Sequence, residues 1–447
     1  MAEVVAVCIS ERKGIAKHPV SEIALKVNHG IVGDAHAGKW HRQVSLLGEE
    51  SVDKMKKVFP DIPVGAFAEN ILVRGLTLYT LPVGTRLSVG ETLLEVTQIG
   101  KECHADCAIR QQVGDCVMPR EGIFAKVLKE GTVRPGDSLK VVNEPSKNIL
   151  ITGGTTFVSR TAAEFFRDRG YEVYCLNRNS RPQVEGIHLI EADRHDLGDK
   201  LKDAPYFDGV LDITAYDEKD INDLLDHIGP FGKYIFVSSS AVYPDDGAQP
   251  FTEKSEVGPN RFWGKYGTDK IEAEKALFSR VENACVLRPP YLYGPLNGLY
   301  RESFVFDCAK ADREFFLPGD GSMTMQFFHV EDLCRVIEKV LCGDTDERIL
   351  NVGNAESITV REWVRLCYEA MGKEPIYREV FGDVEQRKYF SFSNYEYFLD
   401  TALQRALLPE TIPFEKGIQE SAAWYEKEGS IVNKKDYIRY IDEFLRD

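Results

Sequence analysis

The chain has 447 residues, 43% hydrophobic and 28% charged, the composition of an ordinary globular protein long enough for two or three domains. Its 71 acidic and 55 basic residues leave a net charge of -16, which argues against a broad nucleic-acid or anionic-membrane surface. No apolar run reaches the length of a membrane span, and the start, MAEVVAVCISERKGIAKHP, lacks the apolar core of a signal peptide. The chain therefore reads as cytoplasmic, and its ten cysteines as thiols, metal ligands or reactive groups rather than disulfides.

In chain order, residues 1–145 carry short β signals. AEVVAVCIS, GTRLSVG, ETLLEVTQIG and GDSLKVV are brief, β-branched and bounded by glycine, proline or charge. They predict a mostly β domain, a twisted barrel or sandwich, with short helices near Gly48–Val58 and Gly122–Lys129. Polar residues gather in two places. One runs from Gly33 to Gln43 (GDAHAGKWHRQ). The other is Lys101-Glu102-Cys103-His104-Ala105-Asp106-Cys107, followed by Cys116 and Met118–Gly122. Glu144-Pro145-Ser146-Lys147 then reads as a polar linker.

These blocks, with GAFAENILVRG, resemble the MOSC domain found at the C-terminus of molybdenum-cofactor sulfurases and in related single-domain proteins. The resemblance spans nearly the whole first third. It implies binding of molybdenum cofactor or carriage of sulfur on a cysteine, with a molybdoenzyme or a sulfur donor as partner. Cys103, after Ile99-Gly100-Lys101-Glu102, matches that cysteine. A thiolate is a soft ligand for molybdenum and accepts sulfane sulfur, and Lys101, His104 and Arg120 could lower its pKa. Two other readings stay open: a zinc site from Cys103, Cys107, Cys116 and a histidine, and buried cysteines without chemistry, as expected for Cys8.

Residues 148–447 begin with NILITGGTTFVSR. Ile149–Ile151 read as a buried strand, Gly153-Gly154 as a turn, and Phe157, Ala162, Ala163, Phe165 and Phe166 as a helix face. Strand, glycine turn and helix open a nucleotide-binding βαβ unit, because glycines let the backbone approach a pyrophosphate and the helix start offers free N–H groups. YEVYCL is the second strand. It ends in Asn177-Arg178, with Arg181 close by, where an acidic residue would bind the ribose of NAD; the arginines favour the 2′-phosphate of NADP. IHLIEAD, ending at Asp193, is a third strand, FDGVLDITAY a fourth, and KYIFVSSSAVYP a fifth that runs into Ser238-Ser239-Ser240. Trp263–Lys270 leads into the helical pattern IEAEKALFSRV, and ACVLRPPYLYGP is a sixth strand with a proline exit. The alternation predicts an α/β domain with a doubly wound parallel sheet.

TGG, SSSAVY, the Tyr266-x-x-x-Lys270 pair and LRPPYLYGP resemble the extended and atypical short-chain dehydrogenases/reductases, the NAD-dependent epimerase/dehydratase family, whose atypical branch includes chloroplast RNA-binding relatives. The resemblance implies a Rossmann domain binding NADP or NAD and a small-molecule substrate, in a possible homodimer. Tyr266 would carry the proton. Lys270, one turn on along the same helix face, would lower the phenol pKa and hold the nicotinamide ribose. Ser239 would bond the substrate oxygen, with Ser238 and Ser240 as alternatives. Dinucleotide contacts would come from Gly153, Gly154, Thr155, Thr156, Phe157, Asn177, Arg178, Asp193, Arg194 and Pro289. The substrate side, mainly after residue 291, would use Tyr291, Tyr293 and Arg301, with Asn297 and Gln326–His329 as further candidates. The family's glycine stretch is broken here by Thr156 and Ser159. That keeps open a non-catalytic module that senses nucleotide or binds RNA, with only the MOSC part functional. The aromatic run YFSFSNYEY suits stacking, but burial in a core explains it better in an acidic chain.

Overall fold

The computed structural model describes residues 2–101, 116–142 and 147–446. Cys103, His104, Cys107 and the Glu144–Ser146 linker lie outside the described residues. Two compact units are present, one of Met1–Ser146 with Asp168–Gly170, the other of Lys147–Arg167 with Tyr171–Asp447.

In the first unit, seven strands among the described residues close a barrel. They are β1 (Ala2–Ile9), β2 (Val44–Gly48), β3 (Ile71–Arg74), β4 (Arg86–Val89), β5 (Thr92–Ile99), β6 (Ile123–Lys129) and β7 (Ser138–Val142). The ring runs β7-β4-β5-β6-β2-β3-β1 and shuts where Ala2 of β1 pairs with Leu139 of β7. Alternate residues, such as Leu94 and Val96 of β5, point into an aliphatic core shared with Val7, Leu46, Val73, Leu87 and Ala125. Closure leaves the ring without a free edge, which decides for a barrel over a sandwich. Helix α1 (Glu49–Lys56) falls within the predicted Gly48–Val58. The helix expected at Gly122–Lys129 is instead strand β6, and the helical turn lies just before it at Met118–Glu121. The run Ile123-Phe124-Ala125 is apolar without a decisive period, and pairing with β2 and β5 on its two edges makes it a strand.

The second unit is built on seven parallel strands among the described residues. They are β8 (Asn148–Thr152), β9 (Glu172–Asn177), β10 (His188–Glu191), β11 (Phe207–Asp212), β12 (Phe231–Val237), β13 (Ala284–Arg288) and β14 (Ile349–Asn351). Their order is β10-β9-β8-β11-β12-β13-β14. Both faces are covered. Ile149, Ile151 and Ile235 face one apolar cluster, while Leu150, Tyr234 and Phe236 face another. Two-sided burial is why these strands read as continuous apolar runs. The three residues of β14 are too short a signal to stand out in the sequence. Helix α2 (Phe157–Asp168) follows the glycine turn, α3 (Glu218–Leu225) follows β11, and α4 (Lys265–Arg280) carries Tyr266 and Lys270. A third cluster, with Phe304, Trp363, Phe390 and Phe392 inside it, is drawn mostly from residues after β13, with Val242, Tyr243, Phe251 and Ile271 from before it. The aromatic run 389–397 supplies Tyr389, Phe390, Phe392 and Tyr397 to this core.

Candidate active site

The glycine turn after β8 has no room for larger residues. Gly153 and Gly154 sit at φ +95° and +97°; a Cβ on Gly154 would stand 2.4 Å from Cys175 Sγ, and one on Gly153 2.8 Å from Ser159 Oγ. Ser159 is buried, and its hydroxyl donates to the Thr156 carbonyl at 2.9 Å, one turn back. The extra side chain is thus absorbed within the helix start. Above the turn opens a cleft of about 460 Å³, walled by Gly153, Thr155, Thr156, Asn177, Arg178, Asp193 and Arg194, with Ser180, Arg181, Thr214 and Tyr216. Gly154, Phe157 and Pro289 are not in its wall. Gly154 is buried beneath it, Phe157 opens α2 with φ +35°, and the Pro289 carbonyl accepts from Ser240 N at 2.9 Å.

The side chains around the cleft divide into tethered and open ones. Asn177 Nδ2 donates to the Gly153 carbonyl at 2.7 Å, and its Oδ1 accepts from Asn179 N at 2.8 Å, so Asn177 braces the turn. Arg194 is held by Asp212 at 2.7 Å, and Tyr234 OH and Thr152 Oγ1 donate to the same carboxylate at 2.6 and 2.8 Å. Burial would raise the Asp212 pKa, but the guanidinium and these donors hold it below the usual carboxylate range. Thr152 Oγ1 also accepts from Ile213 N and Thr214 N, locking β8 to the end of β11. Arg178 is open, with its side chain 74% exposed and 3.8 Å from Asp193.

Beyond Tyr216, a cleft residue whose ring meets that of Tyr266 edge-on at 6.2 Å, lies the serine–tyrosine–lysine group; Ser239, Tyr266 and Lys270 are themselves not in the cleft wall. The three serines after β12 have separate fates. Ser238 Oγ donates to Glu274 at 2.5 Å, inside a buried ion pair between Glu274 and Arg288. Ser240 bonds the Tyr397 hydroxyl at 3.2 Å. Ser239 caps the following turn through Ala241 N at 3.1 Å and lies beside Tyr266, a 39% exposed residue whose pKa stands above its ordinary value: desolvation and Tyr216 raise it, against the hydrogen bond with Ser239 and the charge of Arg301. Lys270 is buried, its Nζ donating to the carbonyls of Ala215 at 2.7 Å and Val237 at 3.0 Å. Desolvation pushes its pKa down to about 8 against the pull of Asp212, Glu274 and Asp220. Gly267, between the two, packs so tightly that a Cβ would meet the Ala241 carbonyl at 2.3 Å, which presses α4 onto the serine turn.

On the substrate side Tyr291 and Arg301 share a small pocket of about 190 Å³ with Trp263, Phe392, Arg387 and Lys435. The Arg301 guanidinium lies 5.0 Å from the Tyr291 ring centroid and 5.4 Å from that of Phe392. Tyr293 is not there. It shares a strand face with Tyr291, two residues earlier, but is fully buried, stacked on Phe414 at 4.8 Å and edge-on to Phe327 at 5.9 Å. The remaining candidates are spent on structure. Gln326 pairs with the backbone of Leu399, Asn297 donates to Glu302, and His329 caps the helix Val330–Leu341. Arg387, Lys435 and Tyr216 were not singled out from the sequence. Tyr216 and Lys435 lie in irregular segments and Arg387 in a single 3-10 turn, none with a periodic signal.

In the first unit, Arg120 lies in the turn Met118–Glu121, and Cys116 is buried. Cys8 is buried as well, which pushes its thiol up to about 12. Among the described residues no group of three or more His, Cys, Asp or Glu could hold a metal ion. The first polar block contributes a buried cluster instead. Lys17 pairs with Asp34, whose carboxylate also accepts from Ser10 N at 3.1 Å, Asn70 Nδ2 at 3.1 Å and His36 N at 2.9 Å. It knots the loops at one end of the barrel.

Comparison with known proteins follows the same division. The NAD dependent epimerase/dehydratase family matches residues 218–353 and the MOSC domain residues 33–140. Chloroplast stem-loop binding protein of 41 kDa b from Arabidopsis thaliana is 30% identical over 290 residues, covering 59% of this chain and 75% of that protein. A dTDP-4-dehydro-6-deoxy-D-allose reductase from Streptomyces is 24% identical over 330 residues, 62% of this chain and 96% of the relative. Among solved structures, UDP-glucose 4-epimerase from Thermotoga maritima, bound to UDP-glucose, aligns with a TM-score of 0.51 at 21% identity, covering 63% of this chain and 99% of that one. The chain belongs to the NAD dependent epimerase/dehydratase family, a family of NAD-dependent enzymes, and carries a MOSC domain ahead of that part. No helix among the described residues is long and apolar enough to cross a membrane.

Proposed function

We propose that the second unit is an NAD(P)-dependent oxidoreductase or epimerase acting on a hydroxyl or carbonyl group of a small substrate, with NADP(H) preferred. The observation that carries this reading is the Ser239–Tyr266–Lys270 group, joined to the glycine-turn cleft through Tyr216, which lines the cleft and meets the Tyr266 ring at 6.2 Å. The dinucleotide, when bound, accepts or supplies the hydride. Gly153, Thr155 and Thr156 offer a backbone cradle to its phosphates, and Arg178 with Arg181 a cationic end. Tyr266 takes the proton of the substrate hydroxyl, or returns it to a carbonyl, and the Lys270 ammonium stabilises the phenolate. Ser239 Oγ donates to the same substrate oxygen. The relatives named for dTDP- and UDP-sugars support an anionic small molecule. So does the pocket holding Arg301, Arg387 and Lys435, which has no carboxylate among the described residues that line it.

Calorimetric titration tests the cofactor. NADPH is expected to bind more tightly than NADH, and Arg178→Ala to narrow the gap; a preference for NADH in the wild type reverses the assignment.

For the first unit the proposed role is sulfur carriage or molybdenum-cofactor binding at Cys103, with a sulfur donor or a molybdoenzyme as partner. Alkylation mapping is expected to find Cys103 the most reactive thiol of that unit. An inert Cys103 together with stoichiometric zinc favours a structural zinc site. A second reading of the other unit, as an RNA-binding module, has one observation behind it: the relative named for stem-loop binding. Retention of a stem-loop RNA at physiological salt, with no dinucleotide affinity, is the outcome that selects it.

A further inference from the structure

Tyr216 stands where the dinucleotide cleft meets the proposed catalytic group. It lines the cleft and is 59% exposed, yet its place is set by backbone. It follows the end of β11, and its N–H donates to Asp220 Oδ2 at 2.6 Å. Asp220 is itself fixed in the capping box that Asp217 makes at the start of α3. The carbonyl one residue earlier, Ala215 O, accepts from Lys270 Nζ, so the ammonium is strapped to the same turn that carries the Tyr216 ring. Three rings surround that ammonium, with centroids at 4.7 Å (Phe236), 5.4 Å (Tyr216) and 5.9 Å (Tyr266). Phe236 is fully buried behind it. Tyr216 is the ring on the cleft side, and it meets Tyr266 edge-on at 6.2 Å.

We infer that Tyr216 is a positioning residue: its ring is the wall that keeps the Lys270 ammonium dry and directed at Tyr266. The inference rests on the reading of Lys270 and Tyr266 as the proton-handling pair. Opening the wall lets water reach the amine, which favours its charged form. The other groups that act on the pair stay in place. Asp212 at the end of β11, Asp220 on α3, Glu274 on α4 and Arg194 after β10 act on Lys270, and Ser239 and Arg301 on Tyr266. A change in Lys270 is then attributable to the ring.

The test needs no substrate. In the full-length protein, the rate at which acetic anhydride labels Lys270 is followed by mass spectrometry as a function of pH. At pH well above both midpoints, where the amine is neutral in each protein, Tyr216→Ala is expected to label faster than the wild type, and its midpoint to be raised from about 8 by roughly one unit. Tyr216→Phe keeps the ring and is expected to match the wild type in both. Either of two results overturns the proposal: Tyr216→Ala labels like the wild type, or Tyr216→Phe behaves like Tyr216→Ala, which would make the hydroxyl rather than the ring responsible. Because the readout is the amine itself, the wall can stand or fall independently of whether the protein turns over any hydroxyl substrate.

Discussion

Tyr266 and Lys270 show how far a pair of residues on one helix can be read from spacing. Positions four apart on α4 share a face, and the structure puts the Lys270 ammonium 5.9 Å from the Tyr266 ring. With a validated substrate, Tyr266→Phe is expected to lower turnover by roughly 10²–10⁴ while leaving dinucleotide affinity intact, since only the proton carrier is lost. In the oxidation direction the wild-type rate should climb as the phenol ionises, and that limb should vanish in the variant. Wild-type turnover by Tyr266→Phe would remove this tyrosine from the mechanism. The spacing to Tyr243 favours Ser239 of the three serines in the sequence, and the structure shows where the two alternatives go. Ser238 is drawn into the Glu274–Arg288 pair and Ser240 towards Tyr397, and both partners are distant in sequence.

At the scale of elements, the helix Val330–Leu341 begins with His329, whose Nδ1 accepts from Glu331 N at 3.3 Å. Burial pushes this imidazole down to about 4 from its usual 6.5. The folded unit therefore holds it neutral while the unfolded chain binds a proton below pH 6.5. Its contribution to stability is complete above that value and is lost as pH falls towards 4, up to roughly 3 kcal/mol. His329→Asn keeps a capping acceptor without the titration. Urea melts of the variant between pH 7 and 4.5 are expected to show a shallower loss of stability than the wild type; parallel acid limbs would show that His329 does not set the slope. FFHVEDL marked the start of this helix in the sequence. What it did not show is that Tyr293 and Gly417 close over the ring, where a Cβ on Gly417 would come within 3.0 Å of His329 Cδ2.

At the scale of the whole molecule, each unit has apolar clusters drawn from its own residues: two in the barrel unit, three in the Rossmann unit, among the described residues. Two cores predict two unfolding transitions in calorimetry. NADPH at about 100 times its Kd should add roughly 2.7 kcal/mol to the stability of the Rossmann unit and nothing to the barrel. A single transition shifted as a whole by NADPH would mean that the units unfold cooperatively.

The sequence alone determined the two-part order, the parallel sheet, the glycine turn and the tyrosine–lysine pair. Those depend on local period, on turn chemistry and on spacing within one element, all of which survive in one dimension. Barrel closure, the strand at Ile123–Lys129, the burial of Tyr293 and the placing of Tyr216 and Arg387 were decided only by tertiary structure. Each depends on partners far along the chain. An apolar run becomes a strand when two others flank it, and a polar or aromatic side chain becomes part of a site when the fold leaves an open space beside it.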